Sequence, residues 1–120
     1  MPFSYLLTNL LVDVPRSVGA IFVDPEGEAV EWVTSHGDPF DLKVEGAYHS
    51  IFMRQLEKIT ANAHVGSIHS FVLESSELVT LTQALPDGYY VVLVVDRNCS
   101  RAQALHRLRR AAEVIAKEIF

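Results

Sequence analysis

The chain has 120 residues, of which 49% are hydrophobic, and a formal net charge of −5 at pH 7. This length fits a single domain over residues 1–120, with a core large enough to fold without disulfides or metals. No apolar run approaches the roughly 20 residues that a membrane-spanning helix needs, so a membrane-embedded protein is not expected. Cys99 has no cysteine to pair with, and no leader-like pattern begins the sequence, so we expect a reducing, cytoplasmic setting.

Charge is unevenly distributed along the chain. Residues 97–120 carry a net charge of +4, and the preceding 96 residues carry −9. A basic terminal helix is compatible with nucleic-acid binding, but the chain is acidic overall and contains no recognised nucleic-acid motif. We therefore expect a solvated helix face and no nucleic-acid partner. Whether this face contacts a second protein or a membrane surface stays open.

The first predicted elements are a helix and a β-hairpin. Leucines at helical spacing predict a helix over Ser4–Val12, which Pro15 ends. The run Val18–Val23 is apolar without alternation, which is typical of a strand covered on both faces. It returns as Glu28–Thr34 through the turn formed by residues 24–27, where proline and glycine supply the turn dihedrals.

A second helix is predicted from the Asp38 cap and Pro39 to about Thr60. Its sheet-facing stripe comprises Phe40, Val44, Tyr48, Ile51, Phe52, Gln55, Leu56 and Ile59. The opposite stripe comprises Gly46, Ser50, Met53 and Glu57. A glycine inside a helix permits close backbone approach, and methionine adds an adaptable apolar contact, so this stripe predicts a partner surface. The alternative is a tolerated glycine beside one exposed methionine.

Three further strands are predicted at Ser67–Leu73, Leu78–Leu85 and Tyr89–Val95, joined by short turns. The last is another uninterrupted apolar run, so it belongs with the first strand at the centre of the sheet. Keeping hairpin neighbours adjacent gives an antiparallel sheet of order 2-1-5-4-3. The third strand is then an edge without proline or lysine, and we expect it to pair with a second copy.

The last helix begins at the capping serine Ser100. Its core-facing residues are Leu105, Leu108, Ala112, Ile115 and Ile119. The predicted fold class is therefore α/β of the α+β type: a five-stranded antiparallel sheet with helices on both faces and the element order αββαβββα.

This order resembles the Roadblock family, which includes dynein light chains and the bacterial gliding regulator MglB. The resemblance covers essentially the whole chain. It is carried by the strand at residues 18–21, the Glu26-Gly27 turn, the apolar ending of residues 89–96, and the helical run of residues 107–112.

The resemblance implies a homodimer joined through the third strands and second helices, which binds a Ras-like small GTPase and modulates its nucleotide cycle. Such a protein is a regulator or scaffold, without catalytic residues or a cofactor. The residues expected to bind the GTPase are His49, Ser50, Met53, Arg54 and Glu57. Those expected at the dimer interface are Gly46, Ile68, His69, Phe71 and Leu73.

The sequence also contains residue types that serve in catalysis, metal binding or ligand binding. His64 and His69 lack metal-ligand spacing, whereas Asp24 and Asp96 follow central strands but also suit the turns they precede. Cys99 precedes a helix start, a position that can lower a thiol pKa, but no base accompanies it. The sequence contains no phosphate-binding glycine loop. A structural adaptor without GTPase regulation and a small-ligand sensor remain as alternatives, the latter with a pocket lined by Trp32, Tyr48, Phe52 and Phe71.

Overall fold

The structure, a computed structural model, describes residues 4–35 and 55–120. Its elements are α1 (Ser4–Asp13), β1 (Ser17–Val23), β2 (Ala29–Thr34), β3 (Ser70–Glu74), β4 (Leu78–Ala84), β5 (Tyr90–Asp96) and α3 (Arg101–Ile119). Residues 55–62 are also helical and are called α2. Among the helices of the described segments, none is long and apolar enough to cross a membrane.

The strands form one antiparallel sheet of order β2-β1-β5-β4-β3, which confirms the predicted topology. β1 and β5 lie at its centre, with Ile21 of β1 directly opposite Val92 of β5. Both side chains are almost fully buried. The prediction that these apolar runs mark strands covered on both faces is therefore confirmed, because strands at this position have no face in contact with water.

Each face of the sheet carries its own cluster of buried apolar side chains. On the first face, α1 and α3 pack against the strands, and Leu7 and Leu108 meet Leu81 and Leu93 in one buried core. The second face carries a separate buried cluster that includes Ile21 and three residues of β5. The prediction that the second helix covers this face falls mainly on residues 36–54, which lie outside the described residues.

The turns and caps are formed by the residue types that such positions favour. Asp24 closes the first hairpin, because its Oδ1 accepts hydrogen bonds from the amides of Glu26 (3.0 Å) and Glu28 (2.9 Å). Gly27 follows with a φ of +90°, a conformation that costs glycine little. At the start of α3, the Ser100 side chain accepts a hydrogen bond from the amide of Gln103 (3.3 Å), so the predicted serine cap is confirmed.

The start of the third strand was predicted three residues too early. β3 begins at Ser70 rather than Ser67, so Ile68 and His69 precede the strand. The register places Ser70 opposite Gln83, so a strand reaching back to Ser67 would need a partner at Pro86. Residues 86–88 instead form a 3-10 turn, which leaves that part of the chain without a β4 partner.

The sheet-facing stripe of the second helix was also overextended. Gln55 is exposed, and Ile59 retains 62% of its accessible surface, whereas Leu56 is half-buried. Helical spacing shows which residues share a stripe, but it does not show how far along the helix the sheet provides cover. The last turns of α2 consequently present apolar surface to solvent.

The buried centre of the sheet predicts a large cost for the Leu93→Ala substitution. Leu93 is fully buried between Ala20 of β1 and Leu81 of β4, so truncation leaves a cavity. We expect the free energy of unfolding to fall by about 2–5 kcal/mol in urea denaturation. Val12→Ala is the control, because Val12 is 77% exposed. A loss at Leu93 no larger than that at Val12 would contradict the described core.

Candidate functional site: the open edge of the sheet

β3 is the outermost strand at one side of the described sheet, and its backbone faces in two directions. The amide of Ala84 donates to the carbonyl of His69 (2.7 Å), and these residues lie directly opposite one another when the register is continued by one position. In an antiparallel ladder, alternate residues then turn their backbone groups inward. The amides and carbonyls of Phe71 and Leu73 point to β4, whereas those of Ser70, Val72 and Glu74 point away from the sheet.

Several side chains around this edge are apolar and exposed to solvent. Val72 and Leu73 are 37% and 39% exposed, and Ile59 and Val65, which precede the strand, are exposed further. Ile68 and Phe71 are half-buried and pack against the cluster on the second face of the sheet. Outward backbone groups combined with exposed apolar side chains are features of a site for strand addition.

Two arginines of α3 hold the two ends of β3 from the first face. Arg101 forms an ion pair with Glu74, and the Nη2 of Arg109 donates to the Ser70 hydroxyl (3.4 Å). These contacts are partly exposed, so each contributes roughly 0–1 kcal/mol at most. Their effect is to position Ser70 and Glu74 over the helix. The outward backbone groups of the strand take no part in either contact.

Sequence reasoning missed these two contacts, although a signal for them was present. Arg101 and Arg109 are eight residues apart, which places them about 80° from one another around a helix. Arg101 is in line with the buried stripe at its N-terminal end, and Arg109 lies at the border of that stripe. Basic side chains in or beside a core-facing stripe are therefore candidates to reach a neighbouring strand. Their partners depended on the register of β3 against β4, which the helix pattern does not contain.

The predicted dimer residues fall into two groups. Ile68, His69, Phe71 and Leu73 all lie in β3 or in the two residues before it, with His69 and Leu73 exposed. Gly46 lies outside the described residues.

The predicted partner-binding residues are mostly outside the described part of the chain. Among them, Glu57 is exposed on α2. His49, Ser50, Met53 and Arg54 belong to residues 36–54, and their prediction stays as it was made from the sequence.

Asp24 and Asp96, the carboxylates weighed as catalytic candidates, have structural roles. Asp24 closes the first hairpin. The Oδ1 of Asp96 accepts from the amide of Asn98 (2.8 Å), and its carbonyl accepts from the amide of Cys99 (3.0 Å), so Asp96 shapes the turn that leads into α3. Arg16 lies at ion-pair distance from the same carboxylate (4.0 Å). These contacts are those expected of turn-forming aspartates.

Cys99 is a buried thiol, although a cysteine just before a helix start can be reactive. Its side chain is 7% exposed and belongs to the core beneath α1 and α3. Burial raises the pKa of the thiol, and the neighbouring Asp96 carboxylate raises it further. The pKa is therefore shifted in the direction opposite to the lowering that a helix start can cause, and desolvation is the largest cause of the shift. A thiol of this kind is a packing group rather than a nucleophile.

The other residues considered for a functional site are two histidines, for metal binding, and four aromatic residues, for a ligand pocket. His64 and His69 are exposed, and over residues 4–35 and 55–120 no three metal-ligating side chains gather at one point. Trp32 and Phe71, two of the aromatic residues considered for a ligand pocket, pack against the second-face cluster. Tyr48 and Phe52 lie outside the described residues.

Comparison with solved structures confirms the resemblance at the level of fold. A Roadblock/LC7 domain from Streptomyces avermitilis superposes with a TM-score of 0.88 at 14% identity, covering 97% of this chain and 96% of that one. MglB from Myxococcus xanthus gives 0.86 at 11% identity, covering 97% and 86%. MglB from Thermus thermophilus gives 0.84 at 14% identity, covering 94% and 84%. No known family model or curated protein matches the sequence. The chain therefore has the Roadblock fold.

The open edge predicts pairing between two copies and a substitution that prevents it. In Val72→Pro, the proline ring replaces an amide that points away from β4, so the intrachain ladder keeps its hydrogen bonds. A second strand can no longer approach this position closely. We expect the wild-type protein to have the mass of a dimer by light scattering, and the variant to have that of a monomer.

Val72→Thr is the matched control, because it keeps both the amide and the β-branched shape, and we expect it to remain dimeric. Circular dichroism and a cooperative thermal transition establish that each variant is folded. Leu73→Lys tests the same edge through a charge, without proline, and we expect it to weaken the dimer. A folded, dimeric Val72→Pro protein would show that the copies associate through another surface.

Proposed function

We propose that this chain is a single cytoplasmic Roadblock domain that pairs with a second copy through β3 and the second helix. We further propose that the dimer is a non-enzymatic regulator or scaffold for a Ras-like small GTPase. The observation that carries the proposal is the open, apolar edge of β3 in a sheet of Roadblock topology. GTPase recognition is the function that the resemblance to MglB-type proteins implies.

Self-association is supported by the geometry of the edge. Two β3 strands related by a two-fold axis can pair antiparallel, which gives their outward backbone groups hydrogen-bond partners and extends two five-stranded sheets into one. Leu73 and Val72 would lose solvent-exposed apolar surface in the same step. A solved MglB that superposes on this chain with a TM-score of 0.85 is named for a tetrameric arrangement, an instance of self-association by that protein.

The proposed partner surface is the stripe of His49, Ser50, Met53, Arg54 and Glu57. It combines an adaptable apolar side chain with side chains of both charge signs, a composition suited to a regulated protein contact. Glu57 is exposed on α2, so its carboxylate is accessible. Pairing through β3 would bring two copies of this stripe into one dimer and make a surface larger than one chain offers.

The assignment of a non-catalytic role is supported by how the reactive residue types are used. The carboxylates of Asp24 and Asp96 are engaged with turn amides, and Cys99 is buried with a raised pKa. An effect on a GTPase would then come from binding and reshaping the partner rather than from a catalytic side chain of this chain.

A pull-down tests the GTPase proposal. The tagged protein is incubated with lysate of its source cells in parallel with GDP or a non-hydrolysable GTP analogue, and bound proteins are identified by mass spectrometry. We expect a small GTPase to be enriched with the analogue. Glu57→Lys should reduce its recovery several-fold, because the substitution reverses a charge at the proposed surface. Glu77→Lys is the matched control, because it makes the same charge change in the exposed β3–β4 turn.

Two results would contradict the proposal. Recovery of the same proteins in both lanes, with no GTPase in either, would instead indicate a structural adaptor. Equal loss with Glu57→Lys and Glu77→Lys would show that overall charge, rather than the α2 surface, governs binding.

A further inference from the structure

A groove of about 420 Å³ runs between α1 and α3, on the first face of the sheet. Leu6 and Leu10 of α1 and Ala111 and Val114 of α3 supply its apolar surface. Leu10 is 2% exposed and lies at the bottom, whereas Val114 keeps 43% of its surface accessible. None of the described residues that line this groove, the α1/α3 groove, belongs to β3 or to the stripe proposed for the GTPase.

The charge around the α1/α3 groove is opposite to that of the protein as a whole. Arg107, Arg110 and Lys117 line it from α3 and are all exposed. Two carboxylates, Asp13 and Glu113, also line it, so the charged lining sums to +1 in a chain of net charge −5. The whole of α3 sums to +3 and the rest of the chain to −8. An anionic partner is therefore attracted to this face and repelled by most of the remaining surface.

The shape of the groove distinguishes between two kinds of anionic partner. A membrane surface is flat on this scale, and a protein that binds it needs apolar side chains that protrude. Of the described apolar lining residues only Val114 protrudes, because Leu6 and Ala111 are half-buried and Leu10 is beyond the reach of a flat surface. A helix can enter such a groove, placing apolar anchors at i, i+4 and i+7 against its floor. Carboxylates beside the anchors would face the cations of α3, which extend over about 15 Å from Arg107 to Lys117.

We propose that the α1/α3 groove binds an acidic amphipathic helix of a partner protein. Apolar side chains of the bound helix contact Leu6, Ala111 and Val114, and its carboxylates contact Arg107, Arg110 and Lys117. The groove does not depend on residues of the proposed GTPase surface. Its occupation therefore stands or falls independently of GTPase recognition and adds a second partner to the same domain.

The test uses a designed fluorescent peptide of about four helical turns, with leucines at i, i+4 and i+7 flanked by glutamates. A second peptide has lysine in place of every glutamate. Fluorescence anisotropy gives both affinities for the full-length protein, and amide chemical shifts locate the bound peptide. We expect the acidic peptide to bind at least about tenfold more tightly than its lysine counterpart. Shifts should be concentrated at residues 6–13 and 107–117.

Charge reversal on the groove supplies the decisive comparison. We expect Arg107→Glu/Arg110→Glu to weaken binding of the acidic peptide about tenfold, and higher salt to weaken wild-type binding. Lys58→Glu/Arg97→Glu is the matched control, because it makes the same change in net charge away from the groove, and it should retain wild-type affinity within about twofold. Val114→Ser should weaken binding without any change in charge, because it removes an apolar contact.

Three results with the peptides would overturn the proposal. These are equal affinity for the two peptides, equal loss in the groove and control double variants, and chemical-shift changes that map elsewhere. Vesicles containing phosphatidylserine provide the comparison with a membrane. Arginine-dependent binding to these vesicles, with no binding of the acidic peptide, would assign the face to a lipid surface instead.

Discussion

The structure depends on the pairing of β1 with β5, two strands that are buried on both faces. Their apolar runs lie far apart in the sequence, so this pair brings distant parts of the chain together at the middle of the sheet. Once it forms, β2 can add only outside β1, and β4 only outside β5, because each is tied to its neighbour by a short turn. β3 is consequently the outermost strand beyond β4. The exposed edge on which the functional proposal rests therefore follows from the pairing of β1 with β5 at the centre of the sheet.

Strand order, the buried pair and the cap at Ser100 could be predicted because each rests on a local pattern. An apolar run without alternation indicates burial on both faces, and a serine three residues before glutamine indicates a helix start. The start of β3 could not be predicted in this way, because it depends on where β4 turns away at Pro86. The exposure of Ile59 likewise depends on the extent of the sheet. The direction of the Cys99 pKa shift could not be predicted from its place before a helix either, because burial is the largest cause of that shift.

The candidate site was only partly visible in the sequence. The strand order predicted that the third strand is an edge, and its lack of proline and lysine indicated that this edge can pair. The described strand has outward backbone groups and exposed apolar side chains. The partners of the two arginines, Ser70 and Glu74, were not visible, because tertiary packing brings them to the helix. These contacts link α3 to the edge strand, so the helix that borders the α1/α3 groove on one side also positions β3 on the other.

The central claim is that the outward backbone groups of β3 pair with a second copy, and amide hydrogen exchange tests it most directly. The amides of Phe71 and Leu73 point to β4 and should exchange slowly in any folded state. Measured residue by residue by NMR, the amides of Ser70, Val72 and Glu74 should be protected to a similar degree. Fast exchange at these three positions, with Phe71 and Leu73 still protected, would mean that the edge is free in solution and would contradict the account.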